Sequence, residues 1–184
     1  KDILNLVYLC EYFNLPEVSR YWENVLSINN WQKNRISNLI VEKLFGTLNG
    51  KKIAILGFSF KANTNDTRES AAIRICLNLL EEGASICIHD PKVTKNQIEN
   101  EFKNQEMQNN SFDIRSAWKY SETIDDAIQG ANAVLILTEW DDYRSINWKD
   151  KEAIMSSPAW IFDTRSVTEE KNLSQTNLNY WRLG

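Results

Sequence analysis

The chain has 184 residues, a formal net charge of −4, 42% apolar residues, 11% aromatic residues and seven tryptophans. That composition excludes a disordered chain and fits one good-sized domain with an appendage. The acidic balance gives no support to nucleic-acid or anionic-membrane binding, and no apolar run approaches the ~20 residues of a membrane span.

The sequence opens at Lys1-Asp2 without a methionine and runs at once into an apolar pattern, which reads as a piece cut from a longer protein. Residues 2–14 are expected to form a helix, with Asp2 as its cap by spacing. Asn14-Leu15-Pro16 breaks it, because proline is well tolerated in the first turn of a following helix. From Glu17 to about Leu48 a second helical pattern predicts a rod of roughly 45 Å. That rod carries Tyr21, Trp22, Trp31 and Phe45, more apolar surface than one small neighbour covers. Association of subunits through residues 17–48 is therefore expected, with packing inside the same chain as the alternative. Gly46-Thr-Leu-Asn-Gly50 marks a boundary between a helical segment (1–48) and a second domain (49–184).

Beyond that boundary short apolar runs alternate with helical patterns. Ile53–Leu56, Ser85–His89, Ala133–Thr138 and Trp160–Asp163 read as strands, and Leu178–Arg182 as an edge strand. Helices are expected at about 70–82, ended by Gly83, near 94–102, over Glu122–Gln129 and around 148–155. The rest of 92–121 is polar and irregular. The order predicts an α/β fold: a doubly wound, Rossmann-like parallel sheet preceded by the long helix. Cys10, Cys76 and Cys87 lie in apolar surroundings without a CxxC, which predicts buried reduced thiols in a cytoplasmic protein.

Strand, polar cationic turn and helix follow one another in Lys51–Ser70, so an anion at the carboxyl edge of the sheet is expected there. The turn reads Gly57-Phe-Ser-Phe-Lys-Ala62 rather than GxGxxG and lacks a glycine where backbone must approach a pyrophosphate, so it is not an NAD-cradling turn. Lys61, just past a strand end, could neutralise a diphosphate; a solvated loop lysine is the alternative. Arg68 stands at a helix start where the dipole disfavours it, which points to an interface pair or a phosphate. Asp66 or Ser70 could cap that helix. Arg165 follows the strand at 160–163 on the same edge as Lys61. His89 reads as a packed or capping residue, with a general base as the alternative, and Thr138-Glu-Trp-Asp-Asp-Tyr143 as an acidic loop that starts a helix, with ligand contact as the alternative. No Cys/His cluster has metal spacing, so no metal is expected.

Gly57-Phe-Ser-Phe-Lys-Ala-Asn-Thr-Asn-Asp-Thr-Arg-Glu-Ser70 resembles the signature loop of the UDP-glucose/GDP-mannose dehydrogenase family. Lys1-Asp-Ile-Leu-Asn-Leu, Asn14-Leu-Pro-Glu-Val18, Ile88-His-Asp-Pro-Lys-Val93, Thr138-Glu-Trp140 and Phe162-Asp-Thr-Arg165 agree, in order, across nearly the whole chain. Asp-Thr-Arg-Glu-Ser without a following proline, with Thr-Glu-Trp, is more similar to the branch oxidising UDP-glucose than to those acting on GDP-mannose or UDP-N-acetylhexosamines. A self-contained nucleotide-binding or dimerisation module is a further alternative.

The resemblance implies an enzyme with an N-terminal NAD-binding domain, a helical dimerisation region and a C-terminal UDP-binding domain. Such enzymes oxidise C6 of UDP-glucose to the acid in two NAD-dependent steps through a cysteine thiohemiacetal and thioester. It further implies Asp2 as the carboxylate assisting water or the thiol, Lys1 beside the cofactor, Phe60 and Lys61 holding the substrate, Arg68 reaching the NAD and Arg165 contacting the substrate. The family's cysteine lies in Gly-x-Cys-x-x-Lys-Asp, of which Lys1-Asp2 remains, and Cys10, Cys76 and Cys87 do not match it. This chain is therefore expected to bind UDP-sugar and form a homodimer, with larger oligomers open, and to lack dehydrogenase activity alone. Thr164 replaces the usual glycine before the arginine, and Asn65 stands where glycine or aspartate is common.

Overall fold

The computed structural model describes residues 2–109 and 117–183. Among the described residues the strands are β1 (Lys52–Leu56), β2 (Ser85–His89), β3 (Trp118–Tyr120), β4 (Ala133–Ile136), β5 (Trp160–Asp163) and β6 (Asn179–Arg182), and the apolar runs account for all but β3. All pair in parallel, in the order β3-β2-β1-β4-β5-β6. The four central strands are buried almost throughout and the two edge strands are half-exposed. The apolar runs follow from this, because a strand covered on both faces has no solvent side for polar residues.

Helices cover both faces. Ahead of the sheet come α1 (Asp2–Tyr12) and α2 (Pro16–Lys43); α3 (Ala71–Glu81) joins β1 to β2, and α4 (Lys95–Asn109) leaves β2. The short α5 (Ile124–Ile128), α6 (Asp141–Arg144), α7 (Trp148–Glu152) and α8 (Glu170–Leu173) serve the other strands. β1 shows how the layers divide: Ile53 and Ile55 join Leu79, Leu80, Ile98 and Phe102 on one face, while Ala54 and Leu56 join Ile128, Tyr143 and Trp148 on the other. Side chains one residue apart on a strand point to opposite faces, so each layer has its own core. The expected doubly wound parallel sheet is what forms. Its strand order reverses between β1 and β4, and the carboxyl ends of those two strands border the crevice where such sheets bind ligands.

Several boundaries differ from the sequence reading. The long helix ends at Lys43, not near Leu48, because Phe45 and Gly46 take left-handed backbone (φ 68° and 76°) and the Gly46 N–H reaches back to the Val41 carbonyl at 2.8 Å. Leu44 and Leu48, which prolonged the apolar pattern, are buried in the core beneath the turn. α2 is thus 28 residues, or about 42 Å. The third expected strand stops at Ile136 rather than Thr138, and α4 runs on to Asn109. β3 lies inside the stretch read as irregular, part of which (110–116) is outside the described residues.

α1 packs along α2, and Cys10 is its single buried residue among those described. Among the described residues, all the exposed large apolar side chains except Phe45 and Phe60 lie between Leu4 and Trp31. The far end of α2 behaves differently: Ile36 and Ile40 enter the core of the sheet, and Asn78 of α3 donates to Asn34 Oδ1 (3.1 Å) and Ser37 Oγ (3.2 Å).

Candidate functional site

β1 ends at Leu56, and Gly57 leaves the sheet with φ 96°. A Cβ there would lie 2.5 Å from the Thr138 side chain, so glycine is required on both conformational and steric grounds. The segment that follows is fixed atom by atom. The N–H groups of Phe58 and Ser59 donate to Asp90 Oδ2 at 2.7 and 3.0 Å. The Ser59 carbonyl accepts from Thr138 Oγ1 (2.8 Å), and Phe60 N–H donates to the Asp66 carbonyl (2.8 Å). Ser59 Oγ donates to the Lys61 carbonyl at 3.1 Å. With the backbone so committed, Phe60 and Lys61 are exposed, and the Lys61 ammonium has no ion pair among the described residues.

This arrangement decides whether the turn can hold a dinucleotide. A pyrophosphate-binding turn offers its N–H groups to the ligand. Here the Phe58 and Ser59 N–H groups are taken by a carboxylate of the same chain, so the turn does not fit an NAD pyrophosphate.

Arg165 comes from the β5 loop. Buried Asp163 holds that loop by accepting from Arg165 N–H (2.9 Å) and Thr168 N–H (2.8 Å), and Arg165 Nε–H donates to the Leu137 carbonyl at 2.7 Å. Glu139 joins the two loops: its Oε1 lies 3.5 Å from Ala62 N and its Oε2 3.6 Å from Arg165 Nε. Thr164, standing where the family pattern has glycine, donates through Oγ1 to the Ile136 carbonyl at 2.7 Å, and the left-handed residue in this loop is Ser166 (φ 55°). A cleft of about 270 Å³ opens beside these loops, lined by residues that include Ala62, Lys92, Glu139 and Trp140.

Other sequence candidates fall elsewhere. Arg68 makes a two-point ion pair with Asp66, Nε to Oδ1 at 2.8 Å and Nη2 to Oδ2 at 2.7 Å, which raises its pKa. Neither an interface nor a phosphate is needed to explain its presence. Ser70, not Asp66, caps α3, accepting from Ala72 N–H. Asp2 is exposed at the start of α1, and Lys1 is outside the described residues. His89 is packed, as expected: Tyr143 Oη donates to the His89 carbonyl (3.0 Å) and lies 3.1 Å from Nδ1, and burial lowers the imidazole pKa. Burial also pushes the Cys76 and Cys87 thiols up, the opposite of what a nucleophile needs. All three cysteines are free and buried. Among the described residues no group of three or more His, Cys, Asp or Glu is placed to hold a metal.

Sequence reasoning did not single out Asp90 or Glu139. Asp90 stood only inside the Ile88-His-Asp-Pro-Lys-Val93 motif, and three of its partners lie 31, 32 and 50 positions away. Glu139 was visible as an acid after a strand and inside the Thr138-Glu-Trp140 motif, with no partner indicated.

A UDP-glucose 6-dehydrogenase of Drosophila melanogaster is 42% identical over 184 residues, which is 100% of this chain and 39% of the relative. One from Caenorhabditis elegans is 41% identical over 100% of this chain and 38% of its own length. The chain thus spans about two-fifths of the length of the curated relatives it matches. In structure it resembles a UDP-glucose dehydrogenase from Pyrobaculum islandicum, with a TM-score of 0.69, 24% identity, and coverage of 98% of this chain and 35% of that one. Residues 54–170 match the UDP-binding domain of the UDP-glucose/GDP-mannose dehydrogenase family, and the chain belongs to that family.

Proposed function

We propose that the chain is the C-terminal part of an NAD-dependent UDP-glucose 6-dehydrogenase, and that its share of the work is to bind the UDP-sugar and to pair subunits. The observation carrying this reading is the fixed 57–62 segment at the crevice beside β1 and β4, which displays Phe60 and Lys61 and is joined through Glu139 to an Arg165 anchored from the next loop. A diphosphate needs cations held at a fixed separation, and a rigid loop with a free lysine beside an oriented guanidinium supplies them. Phe60 offers an apolar face for the sugar or base. The two-site design suits an anion even though the chain as a whole is acidic.

In this reading residues 49–184 bind the UDP-sugar and residues 1–48 form the dimerisation region, which supplies a homodimer through α2. Support for pairing comes from the apolar side chains left exposed along α1 and the outer half of α2. Asp2 assists water or the thiol of a cysteine outside this chain. Lys1 and Arg68 would contact the NAD, which would accept hydride and be held mainly by a domain outside this chain; Arg68 would exchange part of its Asp66 pair for the cofactor. Free, buried cysteines support a cytoplasmic setting. Alone, the chain is expected to reduce no NAD with UDP-glucose.

Calorimetry with UDP, GDP and UDP-glucose tests the reading. Binding of UDP and UDP-glucose in preference to GDP is expected. A preference for GDP would move the substrate to the GDP-mannose branch, and binding of none of the three by the complete protein would remove the nucleotide site.

A further inference from the structure

The residues proposed to touch a nucleotide sit on a segment held from behind by one buried carboxylate. Asp90 is the first residue after β2 and is 3% exposed. Its Oδ2 accepts from Phe58 N–H (2.7 Å), Ser59 N–H (3.0 Å) and the Trp140 indole N–H (3.2 Å). Its Oδ1 accepts from Lys92 N–H (2.9 Å) and Val93 N–H (3.0 Å) in its own turn. Donors from the loops after β1, β2 and β4 therefore converge on two oxygens. An ionised carboxylate can receive all of them because it has no proton of its own to place among them. An asparagine of the same shape would aim an N–H at N–H donors.

The effect reaches the other side of the loop. Phe58 and Ser59 lead directly into Phe60 and Lys61, so the carboxylate sets the direction in which those two side chains leave the backbone. A ligand meeting groups already fixed does not have to order them, which favours binding.

We propose that Asp90 is a positioning residue for nucleotide binding, acting through Phe58 and Ser59 to set Lys61 against the diphosphate and Phe60 against the sugar or base of a nucleoside-diphosphate sugar. This rests on the site reading given above. The competing account is that Asp90 only builds the turn at Lys92 and Val93, in which case its removal lowers stability without reaching Phe60 or Lys61.

A double-mutant cycle in the complete protein, read by calorimetry with UDP, separates the two accounts. Asp90→Asn is expected to raise the Kd for UDP about tenfold or more, the loss associated with misplacing charge-assisted contacts. In a background carrying Phe60→Ala and Lys61→Ala, the same substitution should add less than about threefold, because the groups it positions are gone. An unchanged Kd in folded Asp90→Asn overturns the proposal, and so do additive losses. Should Asp90→Asn fail to fold, Trp140→Phe removes one donor and keeps most of the ring volume; about a threefold loss that vanishes in the same background is expected, and additivity there overturns the proposal equally. If Phe60→Ala with Lys61→Ala leaves UDP binding intact, the site reading fails and Asp90's role fails with it. If that pair weakens UDP and Asp90→Asn does not, Asp90's role alone is rejected.

Discussion

Gly57 and Thr138 meet where β1 and β4 leave the sheet, so closely that a Cβ on Gly57 would sit 2.5 Å from both Cβ and Oγ1 of Thr138. Thr138 Oγ1 is already committed to the Ser59 carbonyl at 2.8 Å. The threonine therefore cannot move aside without releasing the loop that carries Phe60 and Lys61. Gly57→Ala combines overpacking with left-handed backbone, and a loss of about 3 kcal/mol is expected. Urea unfolding of the variant beside the wild type measures it.

Arg165 is anchored through Nε, which leaves the outer nitrogens of its guanidinium to face a ligand. Arg165→Lys keeps the charge and loses the planar fork, so UDP affinity should fall about tenfold. Stability should change by about 1 kcal/mol or less, because the backbone donations of Arg165 and Thr168 to Asp163 still hold the loop and a lysine ammonium can donate to the Leu137 carbonyl in place of Nε–H. Calorimetry and thermal melting on the same preparation distinguish the two effects, and an equal fall in both would assign Arg165 to architecture instead.

Ile28 (62% exposed) and Trp31 (59% exposed) lie near the middle of α2, ahead of the part packed on α3 and the sheet. Ile28→Glu with Trp31→Glu places two charges on a face proposed to be covered by a second subunit. Sedimentation velocity should show the dimer replaced by monomer, with the helical circular dichroism retained. A wild-type chain that sediments as a monomer at all accessible concentrations would rule out pairing through this face.

His89 gives the molecule a pH dependence of definite sign. Burial lowers its folded-state pKa from the ordinary 6.5, so on acidification the unfolded chain takes up the proton first. Its contribution to stability is complete above pH 6.5 and is lost as the pH falls through the lowered folded value. Thermal midpoints measured on either side of that window should drop less in His89→Gln than in the wild type. Equal drops would show that other groups carry the acid sensitivity.

Much of the fold is legible because the forces that build it act locally. α3 shows its period in Ala72, Ile73, Ile75, Cys76, Leu77, Leu79 and Leu80, all buried. The central strands declare themselves as continuous apolar runs because both faces are covered. β3 has three residues and a half-buried pattern, so it leaves no such run. The end of α2 was obscured for the opposite reason: Leu44 and Leu48 continue a helical spacing although they are buried from a turn. At the site, Lys61 and Arg165 could be read as cations just past strand ends. The pairing of Arg68 with Asp66 two residues away was local yet hidden, since several partners were open to either side chain. Asp90 and Glu139 act across the sheet edge, between segments that are neighbours only once β1, β2, β4 and β5 have assembled.

α2 runs unbroken for 28 residues, with its outer half against α1 and its inner half, from Asn34 to Ile40, against α3 and the sheet core. No hinge interrupts it. It is a stiff lever arm whose inner end bears on the helix that starts where the Arg68 loop stops. A body docked on the outer half would be held at one set angle to the strand-end crevice, and a tilt of the arm would be delivered to α3 rather than absorbed on the way.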